Sequence, residues 1–335
     1  MNNRLKVLLI TPSYLPDVTG NAVTAHRLYV GLSELGVEVR VAIPGEIALL
    51  KDFRPDVIHA FHALKGGMAV MQLAEKLGVP YGVTITGTDV NIDLLQGDRR
   101  VFRVLEGASL IAVYSDLTKE RLKEIFPTRG RKVRVIHPAV RLESLGNSSQ
   151  QKHEGIRFFL PSGIRSVKNP TFAIRPLERL RESHPGISLV VAGAILSGDE
   201  WKCFSGDVRE RSWVLHKTVR HADMFAEYLA ADVVLNTSLS EGLSNAVLEA
   251  MFMELPVLAS DCEGNRSVIT HGVDGLLYRQ GDEDDFMDQA MKLVSCASLR
   301  RSLGDSARKK VLNEYGIEYE ITEHIRFYED MLGGV

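Results

Sequence analysis

Cysteine is scarce in this chain. Three stand in 335 residues, Cys203, Cys262 and Cys296, odd in number and too far apart for a disulfide framework or a zinc spacing. A reducing cytoplasm is the expected compartment. Long apolar runs are also missing. The opening MNNRLKVLLITPSY keeps its apolar run within Leu5 to Ile10, short of the roughly seven or more residues of a signal-peptide core and of the ~20 of a membrane span. Membrane contact is expected to be peripheral at most. Neither charge sign dominates: 40 Lys and Arg against 43 Asp and Glu leave a formal net charge of -3, without the basic field that drives non-specific nucleic-acid binding. No nucleic-acid partner is expected. No repeat of fixed period and no low-complexity tract is visible.

What is present is an ordinary globular composition, 45% hydrophobic and 25% charged, at a length that single cores rarely reach and two domains fill comfortably. Short Val/Leu/Ile runs at Leu5 to Ile10, Val37 to Ile43, Val57 to His59, Tyr81 to Thr86, Leu110 to Tyr114 and Val133 to Ile136 alternate with helical stretches such as Thr24 to Leu35. Continuous apolar runs mean strands buried on both faces, and strands alternating with helices mean a parallel sheet covered by helices. The polar, aperiodic stretch RLESLGNSSQQKHE (141–154) is the composition of a linker. After it the pattern restarts: strand Ile156 to Leu160, helix Asn169 to Glu182, strands Ser188 to Ala192 and Trp213 to Leu215, helix Ala222 to Leu229, strand Val233 to Asn236. The expected fold is α/β, with two Rossmann-like doubly wound domains over 1–145 and 155–316. A final amphipathic helix over 317–335 is able to pack on either. Ligands bind outside the carboxyl ends of such sheets, so an interdomain cleft is the expected site.

The densest chemistry lies in SLSEGLSNAVLEAM (238–251). A buried strand ends near Asn236, Glu241 and Gly242 make a loop, and Ser244 or Asn245 opens a helix whose second turn carries Glu249. The opening backbone amides of a helix lack intrahelical partners and sit at its positive end, which suits a diphosphate. Gly242 allows the phosphate to approach the main chain. Glu241 and Glu249 are repelled by phosphate but accept hydrogen bonds from sugar hydroxyls on either side of it.

The Glu-x7-Glu spacing in EGLSNAVLEAM, followed by LPVLASDCEGN and GVDGLLY, resembles the group 1 (family 4) retaining glycosyltransferases of GT-B fold. The combination of GNAVTA (20–25), GTDVN (87–91), VKNP (167–170) and EGLS is similar to the glycosyltransferase 1 domain-containing subgroup of that family, and more weakly to selenosugar synthases. The resemblance implies that Glu249 holds ribose hydroxyls, that Glu241 contacts the transferred sugar, and that the amides of Leu243, Ser244 and Asn245 bind phosphate. It implies a UDP-sugar donor, with N-acetylglucosamine as one choice, no cofactor and no metal. The acceptor and the oligomeric state are left open.

Three further constellations accompany it. Ser162-Gly163-Ile164-Arg165-Ser166-Val167-Lys168 follows the first strand of the second half, where a glycine-bearing turn with Arg165 and Lys168 is able to put a guanidinium fork and a point charge on a leaving diphosphate. Family members use an Arg and a Lys here, spaced further apart in most of them. Gly20-Asn21 stands where many relatives have two glycines, ahead of a helix expected from Ala22; it is a donor contact or a plain turn. Thr86, Gly87, Asp89 and Asn91 end a strand and are assigned to the acceptor side together with His62, although Asp89 is equally suited to capping a helix. Many relatives carry a histidine at the position of Thr86, which weakens a histidine-assisted mechanism here.

His59 and His62 have no third ligand at a recognisable spacing, so packing or acceptor contact is favoured over a metal. Arg129, Arg131, Lys132 and Arg134 are taken as a solvated loop rather than a lipid-binding patch. The expected chemistry is metal-independent transfer of a sugar with retention, through a front-face path in which the departing phosphate takes the acceptor proton. Arg165, Lys168 and Glu241 carry it, and the partners are a nucleotide diphosphate sugar and an acceptor. Sugar transfer to a chalcogen acceptor and a non-catalytic nucleotide-sugar sensor are the competing readings.

Overall fold

The computed structural model describes residues 4–16, 19–50, 52–94, 96–127, 132–140, 154–220 and 223–333, with the side chains of 91–92 excepted. It divides into two units, Met1–Ala139 with Tyr315–Val335, and Val140–Glu314. The linker expected over 141–154 lies, apart from Glu154, outside the described residues.

The first unit is a six-stranded, all-parallel sheet in the order β2-β1-β3-β4-β5-β6. Its strands are β1 (Lys6–Ile10), β2 (Glu38–Ala42), β3 (Val57–Phe61), β4 (Tyr81–Thr84), β5 (Leu110–Val113) and β6 (Val133–Val135). Side chains on a strand alternate between faces, and β1 divides accordingly. Leu8 and Ile10 join a core with Val70, Val101 and Val104 from helices α2 (Gly67–Leu77) and α3 (Arg99–Gly107). Val7 and Leu9 join Leu28 and Leu32 of α1 (Gly20–Glu34) on the other face. The first four residues of α4 (Asp116–Ile125) follow Ser115, whose hydroxyl caps them by accepting from Thr118 N.

The last helix, here labelled α12 (Ile317–Gly333), belongs to this first unit. Ile321, Phe327, Tyr328 and Met331 enter the same core as Val7 and Leu28. Two glycines make room for it, since a Cβ at Gly31 would collide with Ile321 and one at Gly82 with Phe327. A buried bidentate ion pair from Arg27 to Glu320, at 2.6 and 2.9 Å, ties α1 to α12.

The second unit is again six parallel strands, in the order β12-β11-β10-β7-β8-β9. They are β7 (Arg157–Pro161), β8 (Ser188–Ala192), β9 (Val214–Lys217), β10 (Val233–Asn236), β11 (Val257–Ser260) and β12 (Leu276–Tyr278). Phe158, Leu160, Leu189, Val233 and Leu235 bury one face against α5 (Ile174–Arg181) and α10 (Glu283–Ser295). The remaining helices are α6 (Gly198–Val208), α7 (Met224–Leu229), α8 (Asn245–Phe252), α9 (Glu263–Arg266) and α11 (Ala297–Glu314).

Several element ends differ from the sequence expectation, and two helix starts differ for a visible reason. The helix expected from Asn169 starts at Ile174, because Asn169 takes a left-handed conformation with φ 45° and ends a single 3₁₀ turn at Ser166–Lys168. The helix expected from Ala22 starts at Gly20, because Thr19 caps it with its hydroxyl on Ala22 N.

Strand order fixes where each unit is open to a ligand. In the second unit the chain runs β7, β8, β9 to one side, then returns to β10 on the other side of β7. The crevice beyond the carboxyl ends of β7 and β10 is that topological switch point. In the first unit the corresponding place is beyond β1 and β3.

Candidate functional site

Arg165 and Lys168 follow β7, and Glu241 follows β10, so the switch point of the second unit receives all three. The two loops are stitched together. Leu239 N donates to Val167 O and Thr237 Oγ1 to Lys168 O, both at 2.8 Å. Lys168 Nζ then reaches Glu241 Oε1 at 2.5 Å. Glu241 Oε1 also accepts from Ser238 Oγ at 2.7 Å and from Asn236 Nδ2 at 3.2 Å. Burial alone would raise the Glu241 pKa, but the Lys168 charge and the hydrogen bonds from Lys168, Ser238 and Asn236 outweigh it and hold the carboxyl below its ordinary range. Glu241 is therefore ionised at neutral pH.

Asn236, the last residue of β10, organises this corner. Its Nδ2 serves both Glu241 and Ser244 Oγ, the latter at 3.1 Å. Its Oδ1 accepts from Ser238 N and from the fully buried Asn265 Nδ2. Ser244 is the N-cap of α8 by backbone geometry, yet its side chain makes no capping bond; its hydroxyl faces Asn236 instead. The N-cap hydroxyl is thus drawn away from the amide end of the helix, which carries the positive pole of the dipole. Gly264 packs against this loop, where a Cβ would stand 2.5 Å from the Glu241 carbonyl oxygen.

Glu249 lies one turn further along α8, buried apart from 8% of its surface, and its Oε2 accepts from Tyr228 Oη at 2.8 Å. Arg165 is extended at φ -158°, and its Nε is buried without a hydrogen-bond partner among the described residues. Buried polar atoms are nearly always satisfied, so an anionic partner is the natural complement of this one. Gly163 sits between β7 and Arg165, close to Leu196 and the Ala194 carbonyl. Leu243 is buried, and Asn245 opens α8. The thiol pKa of Cys262, beside Glu241, is pushed up by burial and by that carboxylate.

In the first unit, two of the residues assigned to the acceptor side, Asp89 and His62, make side-chain bonds to neighbouring loop residues. Asp89 is fully buried, and its carboxylate accepts from the backbone of Ala63 at 2.9 Å, of Thr86 at 3.1 Å and of Gly87 at 2.9 Å. It pins the loop after β3 to the loop after β4. His62 takes a left-handed backbone at φ 69°. Its Nδ1 accepts from Lys65 N, which places the proton on Nε2, facing Thr88 Oγ1 at 3.0 Å. Thr86 is half-buried beside them, and the side chain of Asn91 lies outside the described residues. His59 is enclosed between Tyr328 Oη and Thr84 Oγ1 and packs.

Gly20 is exposed and Asn21 half-buried at the start of α1. Of the basic cluster, Arg129 and Arg131 lie outside the described residues, whereas Lys132 donates to Ala108 O and Arg134 pairs with Asp330. Among the described residues no three His, Cys, Asp or Glu side chains converge as a metal site, and no helix is long and apolar enough to cross a membrane.

Asn236, Asn265 and Tyr228 were not visible as site residues from the sequence. Asn236 left one signal, a polar residue ending a buried strand. Asn265 and Tyr228 left none, because only the fold brings α9 to the end of β10 and α7 to α8.

Comparison with known proteins adds a lineage to this geometry. Residues 146–310 match the family of glycosyl transferases group 1, and residues 46–144 match glycosyltransferase family 4. The chain is 27% identical to glycosyltransferase 1 domain-containing protein 1 of Xenopus tropicalis, covering 90% of this chain and 92% of that protein. It is 24% identical to the D-inositol 3-phosphate glycosyltransferase of Kribbella flavida, over 80% of this chain and 69% of the relative. Among solved structures, sucrose-phosphate synthase of Thermosynechococcus elongatus superposes with a TM-score of 0.84 at 16% identity, covering 99% of this chain and 100% of that one. HepE of Anabaena, in complex with UDP and glucose, gives 0.79 at 15% identity, with 97% and 100% covered. These structural likenesses carry the fold alone, two Rossmann-like sheets of GT-B type.

Proposed function

This chain belongs to the group 1 glycosyltransferases, and from that premise we propose that it moves a sugar from a UDP-sugar to an acceptor, with retention of configuration and without a metal ion. The observation that carries this reading is the meeting of Lys168 and Glu241 at the opening of α8, on the switch point of the second unit. When a sugar–phosphate bond breaks, negative charge gathers on the diphosphate. Donors already aimed at that charge lower the barrier most. Arg165 brings a guanidinium whose Nε is buried and unsatisfied among the described residues, Lys168 an ammonium held at Glu241, and α8 the positive end of its dipole.

Glu241 keeps Lys168 in place before the donor arrives, and contacts hydroxyls of the sugar once the ammonium turns to the phosphate. Glu249 accepts from the ribose. Among the described residues no carboxylate is placed as a nucleophile, so transfer on the front face, with the leaving phosphate taking the acceptor proton, is the route in keeping with this set. The UDP assignment draws support from HepE, which was solved with UDP and glucose.

The test is a thermal-shift screen of nucleotide sugars, followed by UDP release with a panel of acceptors that includes selenophosphate. A donor at a hundred times its Kd stabilises its fold by about 2.7 kcal/mol. Arg165→Ala and Lys168→Ala should abolish the shift. A protein indifferent to every nucleotide sugar would end this reading, and donor binding without release on any acceptor would turn it toward a sensor.

A further inference from the structure

We propose that Tyr228 is a positioning residue for ribose recognition: its hydroxyl fixes the Glu249 carboxylate so that the site selects ribonucleotide over deoxyribonucleotide donors. The inference rests on the ribose role given to Glu249 above and adds a residue that neither the sequence motif nor the family match points to.

The geometry is local to the second unit. Tyr228 lies near the end of α7 and is fully buried. Its ring meets Phe159 of β7 edge-to-face, with centroids 5.2 Å apart and planes at 86°, an arrangement aromatic pairs favour. The phenol is thereby locked by the strand that opens the switch point. Its oxygen stands 2.8 Å from Glu249 Oε2 and 3.2 Å from the Ala246 carbonyl on the first turn of α8. A phenol has one proton to give. The shorter, charge-assisted bond takes it, and burial together with the Glu249 carboxylate pushes the Tyr228 pKa far upward, so the donor stays protonated throughout the working range.

A glutamate side chain has three rotatable bonds, and an unheld carboxylate must be ordered when ligand binds. A bond from a rigid ring removes that freedom in advance. Selectivity for a hydroxyl comes from a buried acceptor that would be left unpaired beside a deoxy analogue, and this works only when the acceptor does not swing away.

The experiment measures Kd by calorimetry for UDP, GDP and ADP, and then for the 2′-deoxy counterpart of whichever binds best. Wild type, Tyr228→Phe and Glu249→Ala are compared, each with its thermal midpoint. The expected result is that wild type prefers the ribonucleotide by at least ~10-fold, the scale of one charge-assisted hydrogen bond. Tyr228→Phe, which keeps the ring against Phe159, should bring the preference within ~3-fold. It should bind the deoxy form about as well as wild type does. Retention of the full preference in Tyr228→Phe overturns the proposal while leaving Glu249 in its role. A wild type that does not discriminate, or a Glu249→Ala that still does, overturns the ribose reading of Glu249 and the proposal with it. A lower thermal midpoint with an unchanged ratio marks Tyr228 as merely structural, which also overturns it.

Discussion

The two units share a parallel six-stranded plan but spend their polar residues differently. In the second, Lys168, Glu241, Asn236 and Ser244 gather at the carboxyl ends of β7 and β10, and the Nε of Arg165 is left unsatisfied among the described residues. In the first, several charged and polar groups turn inward. Asp89 is taken up by three backbone amides, Arg27 by Glu320, and His59 by Tyr328 and Thr84. One fold thus supports two arrangements of polarity, with groups clustered at the switch point where the proposed donor would bind in one unit and groups bonded within the scaffold in the other. Substitutions should follow that division, costing activity in the second unit and stability in the first.

The largest effect is expected in the first unit. Glu320→Ala removes the bidentate counter-charge of a buried guanidinium, which costs about 3–5 kcal/mol; hydrogen exchange should show β1, α1 and α12 opening together. Trp201 and Trp213, the two tryptophans of the chain, lie in the second unit, so their fluorescence reports whether that unit stays intact. If both units melt together, the division is wrong.

Next is Glu241→Gln, expected to lower kcat about 100-fold, the loss typical of one preorganised electrostatic contact, while the affinity for UDP, measured by calorimetry, changes little. Unchanged turnover would take Glu241 out of the mechanism. Asp89→Asn leaves one acceptor oxygen for three amides and should destabilise the first unit by about 1–3 kcal/mol, seen as a lower urea midpoint; a donor affinity that moved in parallel would blur the comparison.

The smallest effect is that of pH. Burial holds His59, His62 and His324 of the first unit below the ordinary imidazole range, whereas the second has the half-buried His216 lowered in the same sense. The unfolded chain takes up these protons first. The stability they contribute is therefore full above about 6.5 and declines as the pH falls from there toward the depressed folded values. Glu241 and Glu320, held below the ordinary carboxylate range, keep their contribution until the pH drops beneath about 4.3. Mild acid between those limits should loosen the first unit ahead of the second, which hydrogen exchange and tryptophan fluorescence would separate.

Much of the fold was legible in the sequence. Buried parallel strands are continuous apolar runs, and Ser188 to Ala192 and Val233 to Asn236 match β8 and β10 to the residue. The EGLSNAVLEAM segment declared its loop and its helix because glycine, N-cap and carboxylates fall within one local stretch. Asn169 misled, since asparagine can end a turn in a left-handed conformation as readily as it can open a helix. The support beneath the site was hidden for another reason. Tyr228 meets Glu249, and Asn265 meets Asn236, across 21 and 29 residues of chain, and no periodicity encodes a bond between separate elements. Asp89 could be seen as polar, but its three amide partners could not, because one of them belongs to Ala63 on another loop.

The bond between Arg27 and Glu320 spans 293 residues, and between its two ends the chain writes out the entire second unit. During translation, then, the first sheet emerges without the helix that seals one of its faces, and Leu28, Leu32 and Gly31 wait uncovered while the nascent polypeptide builds another domain. The core that α12 completes is therefore closed only after the whole second unit has been synthesised.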